Sequence, residues 1–476
     1  MKINLTKLRS KNNYLIIGII ALFTMAAMHN LLTYLCIGVF AMLFLLMNIK
    51  CVTTKDVLIP KLVVILLLFQ NFSIGIGAHI GGNMSGTLSL LTQVPFMFIC
   101  VAYFIVLTRT FEKLSKIDIL FFVYIVLCIF FFFLGDGGMM AKLVYFRNFT
   151  VFYMGFFVGK YYLSTKERRE DFFNFFINVS IIAAVFGMVG LVLGRPFYFL
   201  IGVPEVYEAK QYLAFRDGIP GNFMTLFMGK WVNRQAGLYY DPVNFSYYMA
   251  LACIMAFALK RKKVFIFFLI CEAMTFGKGG FMILGLSVCY VVAQKIFQKL
   301  FSKVDIKILH KIIVACAIFG IVGLSVFIHI FYKDDFGTYN HFYGIITGVE
   351  ATIDSPLGNG LGTAGNLIKT ADVRSQAISE TGLVNMAYQI GVFGTILFGC
   401  ILTSTSKGIL ECYRKKRENK YLIFAFLPIV ILIVSLFQEN TFTPQCIIPY
   451  MIMQGAISNE RKENSHEENR NCNTVS

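Results

Sequence analysis

The sequence predicts an all-α, polytopic integral membrane protein of about 14 transmembrane helices (12–14), with two large extracytoplasmic loops. Three observations predict it: composition, the recurrence of apolar runs, and the distribution of Lys and Arg. The 476 residues are 57% hydrophobic and only 14% charged, with 50 Phe, and mean hydropathy is +0.70. A soluble globular chain carries about 25% charged residues. There is too little polar surface here to cover a water-soluble body, which excludes soluble enzymes, coiled coils, disordered chains and secreted disulfide scaffolds.

A span needs about 20 mostly apolar residues. The expected spans are 14–28, 31–48, 62–78, 94–108, 119–134, 145–160, 172–193, 245–259, 264–277, 279–296, 312–332, 383–404, 421–437 and 443–457. The first follows a basic stretch (Lys2, Lys7, Arg9, Lys11) as a signal peptide would. No small-residue cleavage site follows it, and residues 14–48 read as a helical hairpin turning at His29-Asn30. The chain then divides into N-terminal transmembrane helices (1–194), a first outer loop (195–244), transmembrane helices (245–332), a second outer loop (333–382), C-terminal transmembrane helices (383–457) and a polar tail (458–476).

Lys and Arg are retained in the cytoplasm. With the N-terminus inside and alternating spans, every inside segment carries at least three Lys or Arg, and together they hold 32 of the 43 Lys and Arg against 13 of the 26 acids. The inside therefore carries +19 and everything else −2, so the net charge of +17 is a record of topology and not a nucleic-acid signal. Both termini are expected in the cytoplasm. None of the 12 Cys falls in the two long outer loops, so no external disulfide framework is suggested. The inside loops are short and hold neither a Walker A sequence nor a dinucleotide fingerprint.

Candidate chemistry therefore sits outside, since long loops are usually functional. The first loop ends in Arg234-Gln-Ala-Gly237-Leu-Tyr-Tyr-Asp241-Pro242. Asp at the N-cap and Pro at the first helical position predict a helix start at 241–242, and Arg234 is either a functional cation or an ordinary solvated one. Thr275-Phe-Gly277-Lys278-Gly279-Gly280 forms a tight outer turn. Its glycines allow close backbone approach and an anion-binding nest; Lys278 either binds an anion or snorkels to headgroups.

In the second loop, Phe342, Ile345, Ile346, Val349 and Ile353 have the spacing of an amphipathic helix near the membrane surface. Asp354-Ser-Pro-Leu-Gly358-Asn-Gly360-Leu-Gly362-Thr-Ala-Gly365 is a backbone-exposed turn, and Glu380 leads into the span at 383, where it either acts in chemistry or complements the helix dipole. His341 taken alone is more often structural.

The order of these features resembles the O-antigen ligase and polymerase superfamily, the Wzy-type bacterial polysaccharide polymerases, over roughly residues 230–400: an Arg, Gly and Asp-Pro element, a Gly-Lys-Gly-Gly turn, Ser-Pro-Leu-Gly-Asn-Gly-Leu-Gly in a large outer loop, then an acid before a helix with Gly391-Val-Phe-Gly394. The resemblance implies a glycosyltransferase of the bacterial plasma membrane. Its donor and acceptor are undecaprenyl-diphosphate-linked oligosaccharides joined on the outer face, without metal, nucleotide or other cofactor. A chain-length regulator and a flippase are implied as partners beside the bilayer, and nucleic acid is not.

By this resemblance Arg234 and Lys278 bind the diphosphate, with Arg216 and Arg147 behind them, and the glycine-rich turns (Gly277, Gly279 and Gly280; Gly358, Gly360 and Gly362) supply backbone donors. Lys278 stands where many members have Arg, which keeps the charge and loses the bidentate fork. The general base for the acceptor hydroxyl is Glu380 first, Asp241 second and His341 third. Tyr239, Tyr240, Tyr339, Phe342 and Tyr343 could stack on sugar faces. Ligases place a His-Asn pair where this chain has Glu380-Thr-Gly-Leu383, which favours polymerase. The alternatives are a ligase moving finished glycan, or a flippase or other transporter; against the latter, Glu272 is the single acid expected well within a span.

Overall fold

The computed structural model describes residues 57–81, 92–110, 114–209, 214–331, 336–366 and 381–474. The protein is mostly helical, at 80%. The helices are α1 (Leu58–Gly81), α2 (Val94–Thr110), α3 (Lys116–Leu134), α4 (Met139–Tyr162), α5 (Lys166–Leu193), α6 (Arg195–Leu200), α7 (Val203–Ala209), α8 (Pro242–Ala258), α9 (Lys262–Thr275), α10 (Lys278–Leu300), α11 (Ile306–Phe331), α12 (Phe336–Asp354), α13 (Gly382–Ser404), α14 (Ile409–Lys416), α15 (Asn419–Ser435) and α16 (Pro444–Thr474). A helix covers each expected apolar segment from 62–78 onward; the segments 14–28 and 31–48 lie outside the described residues.

Five stretches among the described residues are long and apolar enough to cross a membrane: Leu58–Ile80, Lys116–Leu134, Lys166–Leu193, Lys278–Leu300 and Gly382–Lys416. α3 shows the physical signature most plainly. It leaves Ile119, Val123, Val126, Ile129, Phe130 and Phe133 exposed along its length. A water-soluble body would bury such a surface; a lipid-facing one gains by showing it.

The described residues fall into two compact units, one within Met1–Val106 and Tyr161–Lys278, the other within Leu107–Lys160 and Gly279–Ser476. Each takes segments from both halves of the chain.

In the first unit, α8 is buried along nearly its whole circumference, as befits a helix apolar on every side, and it packs chiefly on α9. The 195–244 segment is a small folded body and not an open connection. It holds α6, α7 and two antiparallel ribbons, β1 (Phe215–Arg216) with β2 (Ile219–Pro220) and β3 (Met224–Phe227) with β4 (Lys230–Asn233). The strands correct the all-α expectation. Their core is formed by Tyr198, Val206, Tyr207, Ile219, Phe223 and Tyr240, packed with Ile74 of α1. A local apolar cluster of this kind offsets the ordering entropy that would otherwise leave a 50-residue loop mobile.

In the second unit α13 packs on α3 and α12. α13 is broken at Gly391, which has φ 74° and ψ 169°. The amphipathic segment expected at 342–353 lies within the longer α12. The 458–476 tail, expected as a polar tail, is helical as far as Thr474 as a continuation of α16.

Candidate functional site

Two clusters on the segments expected outside the membrane gather polar groups from distant parts of the chain, one in each unit.

The first is centred on Arg234. Its backbone N–H donates to the Phe223 carbonyl at 2.7 Å and that of Gln235 to Met274 at 2.9 Å, which ties the end of the folded loop to the end of α9. The guanidinium then spans three carbonyls: Nε donates to Thr275 at 2.8 Å, one terminal nitrogen to Asn222 at 3.1 Å and the other to Phe276 at 3.4 Å. Arg234 is half-buried. Burial pulls its pKa down, while the Asp241 carboxylate and Tyr207 push it back up. An arginine so placed still keeps its charge.

Asp241 caps α8, Oδ1 accepting from Val243 N at 2.8 Å and Asn244 N at 3.4 Å, with Pro242 following as expected. Such a cap is worth about 1 kcal/mol. A carboxylate committed to a helix cap is a less available base than one left open.

The 275–278 turn is built by its own residues. Phe276 takes the left-handed conformation at φ 49°, and Thr275 Oγ1 accepts from Gly277 N at 3.0 Å and donates to the Glu272 carbonyl at 2.7 Å. Position 277 admits only glycine, because a Cβ there would lie 2.1 Å from Ser246 Oγ of α8. Gly279 and Gly280 are buried in the first turn of α10, while Lys278 is exposed. A cation at a helix N-terminus opposes the helix dipole, by about 0.3–1 kcal/mol, so α10 itself gives no reason for a lysine there. Arg216 is exposed on β1, and its guanidinium sits 4.0 Å over the Trp231 ring.

Tyr239 and Tyr240 are fully buried. The Tyr240 hydroxyl donates to the Ile201 carbonyl, and Tyr207 donates to the Tyr240 carbonyl, both at 2.7 Å. They are pillars of the loop and cannot stack on a sugar. Tyr343 is exposed; the side chains of Tyr339 and Phe342 lie outside the described residues.

The second cluster lies on the glycine loop after α12. Gly358, Gly360, Gly362 and Gly365 all have positive φ, at 89°, 90°, 80° and 104°. The loop does not present the row of open donors expected of a nest. Asn359 N donates to the Tyr388 carbonyl, Gly360 N to that of Gln389, Leu361 N to that of Phe131, and Gly362 N to the Gln389 side chain. The glycines serve close approach: a Cβ on Gly360 would sit 2.3 Å from Gly135 at the end of α3. In return Val392 N donates to the Pro356 carbonyl across the break in α13, at 3.0 Å.

At the end of this loop stands a carboxylate that the sequence reading passed over. Glu439 lies in a 3-10 turn (Glu439–Phe442) between α15 and α16. Its Oε1 accepts from the Tyr145 hydroxyl at 2.5 Å and from Asn385 Nδ2 at 3.0 Å, and its Oε2 accepts from Asn366 N at 3.1 Å. Burial raises its pKa to about 7, against the pull of the hydrogen bonds from Tyr145, Asn366 and Asn385. The available signal was an acid in a five-residue outer turn just before a helix-starting proline, Glu439 before Pro444.

Arg147 is half-buried on α4 and donates through two nitrogens to Asn148 Oδ1, at 3.2 and 3.1 Å. Glu380 lies outside the described residues, as does the side chain of His341, whose backbone is in α12. Glu272 is fully buried on α9, and neither carboxylate oxygen has a hydrogen-bond partner among the described residues. The chain matches no protein-family profile and no curated protein sequence.

Proposed function

We propose that the protein is a polysaccharide polymerase of the bacterial plasma membrane. It joins undecaprenyl-diphosphate-linked oligosaccharide repeat units by glycosyl transfer on the outer face, within a topology of about 14 spans with both termini cytoplasmic. The observation that carries the reading is convergence. Arg234, Asp241 and the Gly277-Lys278 turn, singled out one by one along the sequence, come together in one cluster: the Arg234 fork grips the carbonyls of Thr275 and Phe276, just before Gly277, and the Asp241 carboxylate acts on its charge through space.

The chemistry follows from the leaving group. Breaking the sugar C1–O bond to a diphosphate develops negative charge, which fixed cations in a site away from bulk water stabilise best. Arg234 supplies a fixed charge whose orientation is set by the carbonyls it holds. Lys278 supplies an exposed point charge that the helix start does not explain. Arg216, on the first outer loop, and Arg147, at the outer end of the span expected at 145–160, are further cations. The donor is already activated, so the transfer proceeds without nucleotide.

Deletion of the gene, followed by gel analysis of the glycan, tests the reading. A polymerase deletion leaves single repeat units; a flippase deletion leaves no exported glycan; a ligase deletion leaves long polymer that is not attached. In the complemented strain, Arg234→Ala and Lys278→Ala are each expected to cut elongation sharply with the protein still in the membrane. Long polymer from both would overturn this assignment of the site.

A further inference from the structure

We infer that Glu439 is the group that takes the proton from the acceptor hydroxyl, and that Tyr145 and Asn385 are its positioning residues. The inference rests on the proposed glycosyl transfer and replaces the bases read from sequence.

The hydrogen-bond chain fixes which atom exchanges the proton. A backbone N–H can only donate, so Gly362 N, at 2.7 Å, makes Gln389 Oε1 the acceptor. That sets Gln389 Nε2 as donor, to the Ala364 carbonyl at 3.1 Å and to Asn385 Oδ1 at 2.6 Å. Asn385 must then offer its NH2 to Glu439, and the bond to Oε1 at 3.0 Å is its outcome. Neither amide can flip without leaving a donor facing a donor. Oε1 therefore receives Asn385 and the Tyr145 hydroxyl together, and the exchangeable proton is assigned to Oε2, on the side of the exposed Asn366, which holds the carboxylate through both its backbone and its side chain at the end of the glycine loop. Gly365 makes room for the arrangement: a Cβ there would lie 1.9 Å from the Tyr145 hydroxyl oxygen and 2.4 Å from Asn385 Nδ2.

Two further facts separate this carboxylate from a structural staple. It is half-buried, and Asn366, which bonds to its Oε2, is exposed; among the described residues no cation pairs with it. A carboxylate withdrawn from water with only dipoles for company costs stability that a neutral staple would not. Its proton affinity, raised by burial to about 7, suits a base working near neutrality. Among the described residues, Tyr145 is the one other titratable group that bonds to it. In the transfer, the acceptor O–H proton passes to Oε2 as the acceptor oxygen bonds to C1. The C1–O bond to the diphosphate breaks with its electron pair on the departing lipid diphosphate, and Oε2 later gives the proton to water.

The test uses membranes carrying the full chain and, as probe, repeat-unit lipid extracted from the strain lacking this gene. Polymer formed is measured across pH. Wild type is expected to gain activity as pH rises through about 7, as Glu439 ionises. Glu439→Gln, present at normal abundance, should lose about 10²-fold or more at every pH. Tyr145→Phe removes a donor to the charged form, which raises the carboxyl's proton affinity and should move the acid limb to higher pH. A staple would leave that limb in place. Retention of activity by Glu439→Gln within about threefold overturns the inference. If that variant is missing from the membrane, an unmoved acid limb in Tyr145→Phe overturns it instead. Wild-type membranes that convert no probe at any pH overturn the polymerase reading itself, and the inference with it.

Discussion

The Arg234 and Glu439 clusters answer the same problem with opposite signs. Each holds a charged group partly out of water, with no ion pair to it among the described residues. Arg234 is surrounded by carbonyl oxygens from residues 222, 275 and 276; Glu439 is surrounded by O–H and N–H donors from residues 145, 366 and 385. The physical consequences differ. Burial lowers the proton affinity of the arginine, but from so high a starting value that its charge is permanent. Burial raises that of the carboxyl to about 7, where the charge becomes conditional. The first cluster is thus suited to fixed electrostatic stabilisation and the second to proton transfer. Glu272 marks the limit of the comparison: fully buried, with no hydrogen-bond partner for either oxygen among the described residues, it has neither kind of cage there.

The comparison breaks most sharply at the carboxylate. Glu439→Gln is expected to have the largest effect on polymer yield. Arg234→Ala comes next, because it strands three carbonyls as well as deleting a charge. A loss of about 3 kcal/mol in stability, seen as a lower melting midpoint of purified protein, is expected alongside lost elongation. Arg234→Lys should recover part of the charge but not the grip on both Thr275 and Phe276.

Gly277→Ala tests whether the turn is held by packing alone. Overpacking against Ser246 should cost about 1–3 kcal/mol, and Ser246→Gly in the same chain should restore part of it. A smaller and pH-dependent effect belongs to Glu439. Its folded-state pKa is raised, so the unfolded chain loses the proton first as pH rises, and the folded chain binds more protons in between. Stability is therefore fullest below the ordinary carboxyl range and declines up to about 7. Melting midpoints should fall over that window in wild type and flatten in Glu439→Gln. Smallest is Arg216→Ala: an exposed cation–π contact with Trp231 is worth about 0.5–1 kcal/mol. A double substitution with Trp231→Ala should be less than additive.

Much of the first cluster was legible along the chain because its signals are local. Asp241-Pro242 specifies a helix start within two residues, and α8 begins there. The small turn at 275–278 is written in its glycine and threonine. Tyr239 and Tyr240 misled because their neighbours alone do not reveal burial; the loop core that covers Tyr240 comes from residues 74, 198, 207 and 223. The ribbons at 215–233 were missed for a related reason: strands of two to four residues carry too few side chains for a period to show. Glu439 had almost no local signal, since every group that holds it comes from elsewhere in the chain.

By itself the sequence determined that this chain is mostly helical, with helices long and apolar enough to span a membrane, where those helices run and which turns contain glycine. Hydropathy and caps act over a few residues and need no partner. Only the tertiary structure decided what the polar groups do: that the loop glycines spend their N–H groups on protein carbonyls and on Gln389, that Arg234 grips a turn 41 residues away, and that Glu439 sits among donors from three distant segments. Hydrogen-bond satisfaction and burial depend on what the fold brings alongside, and no local pattern of residues contains that information.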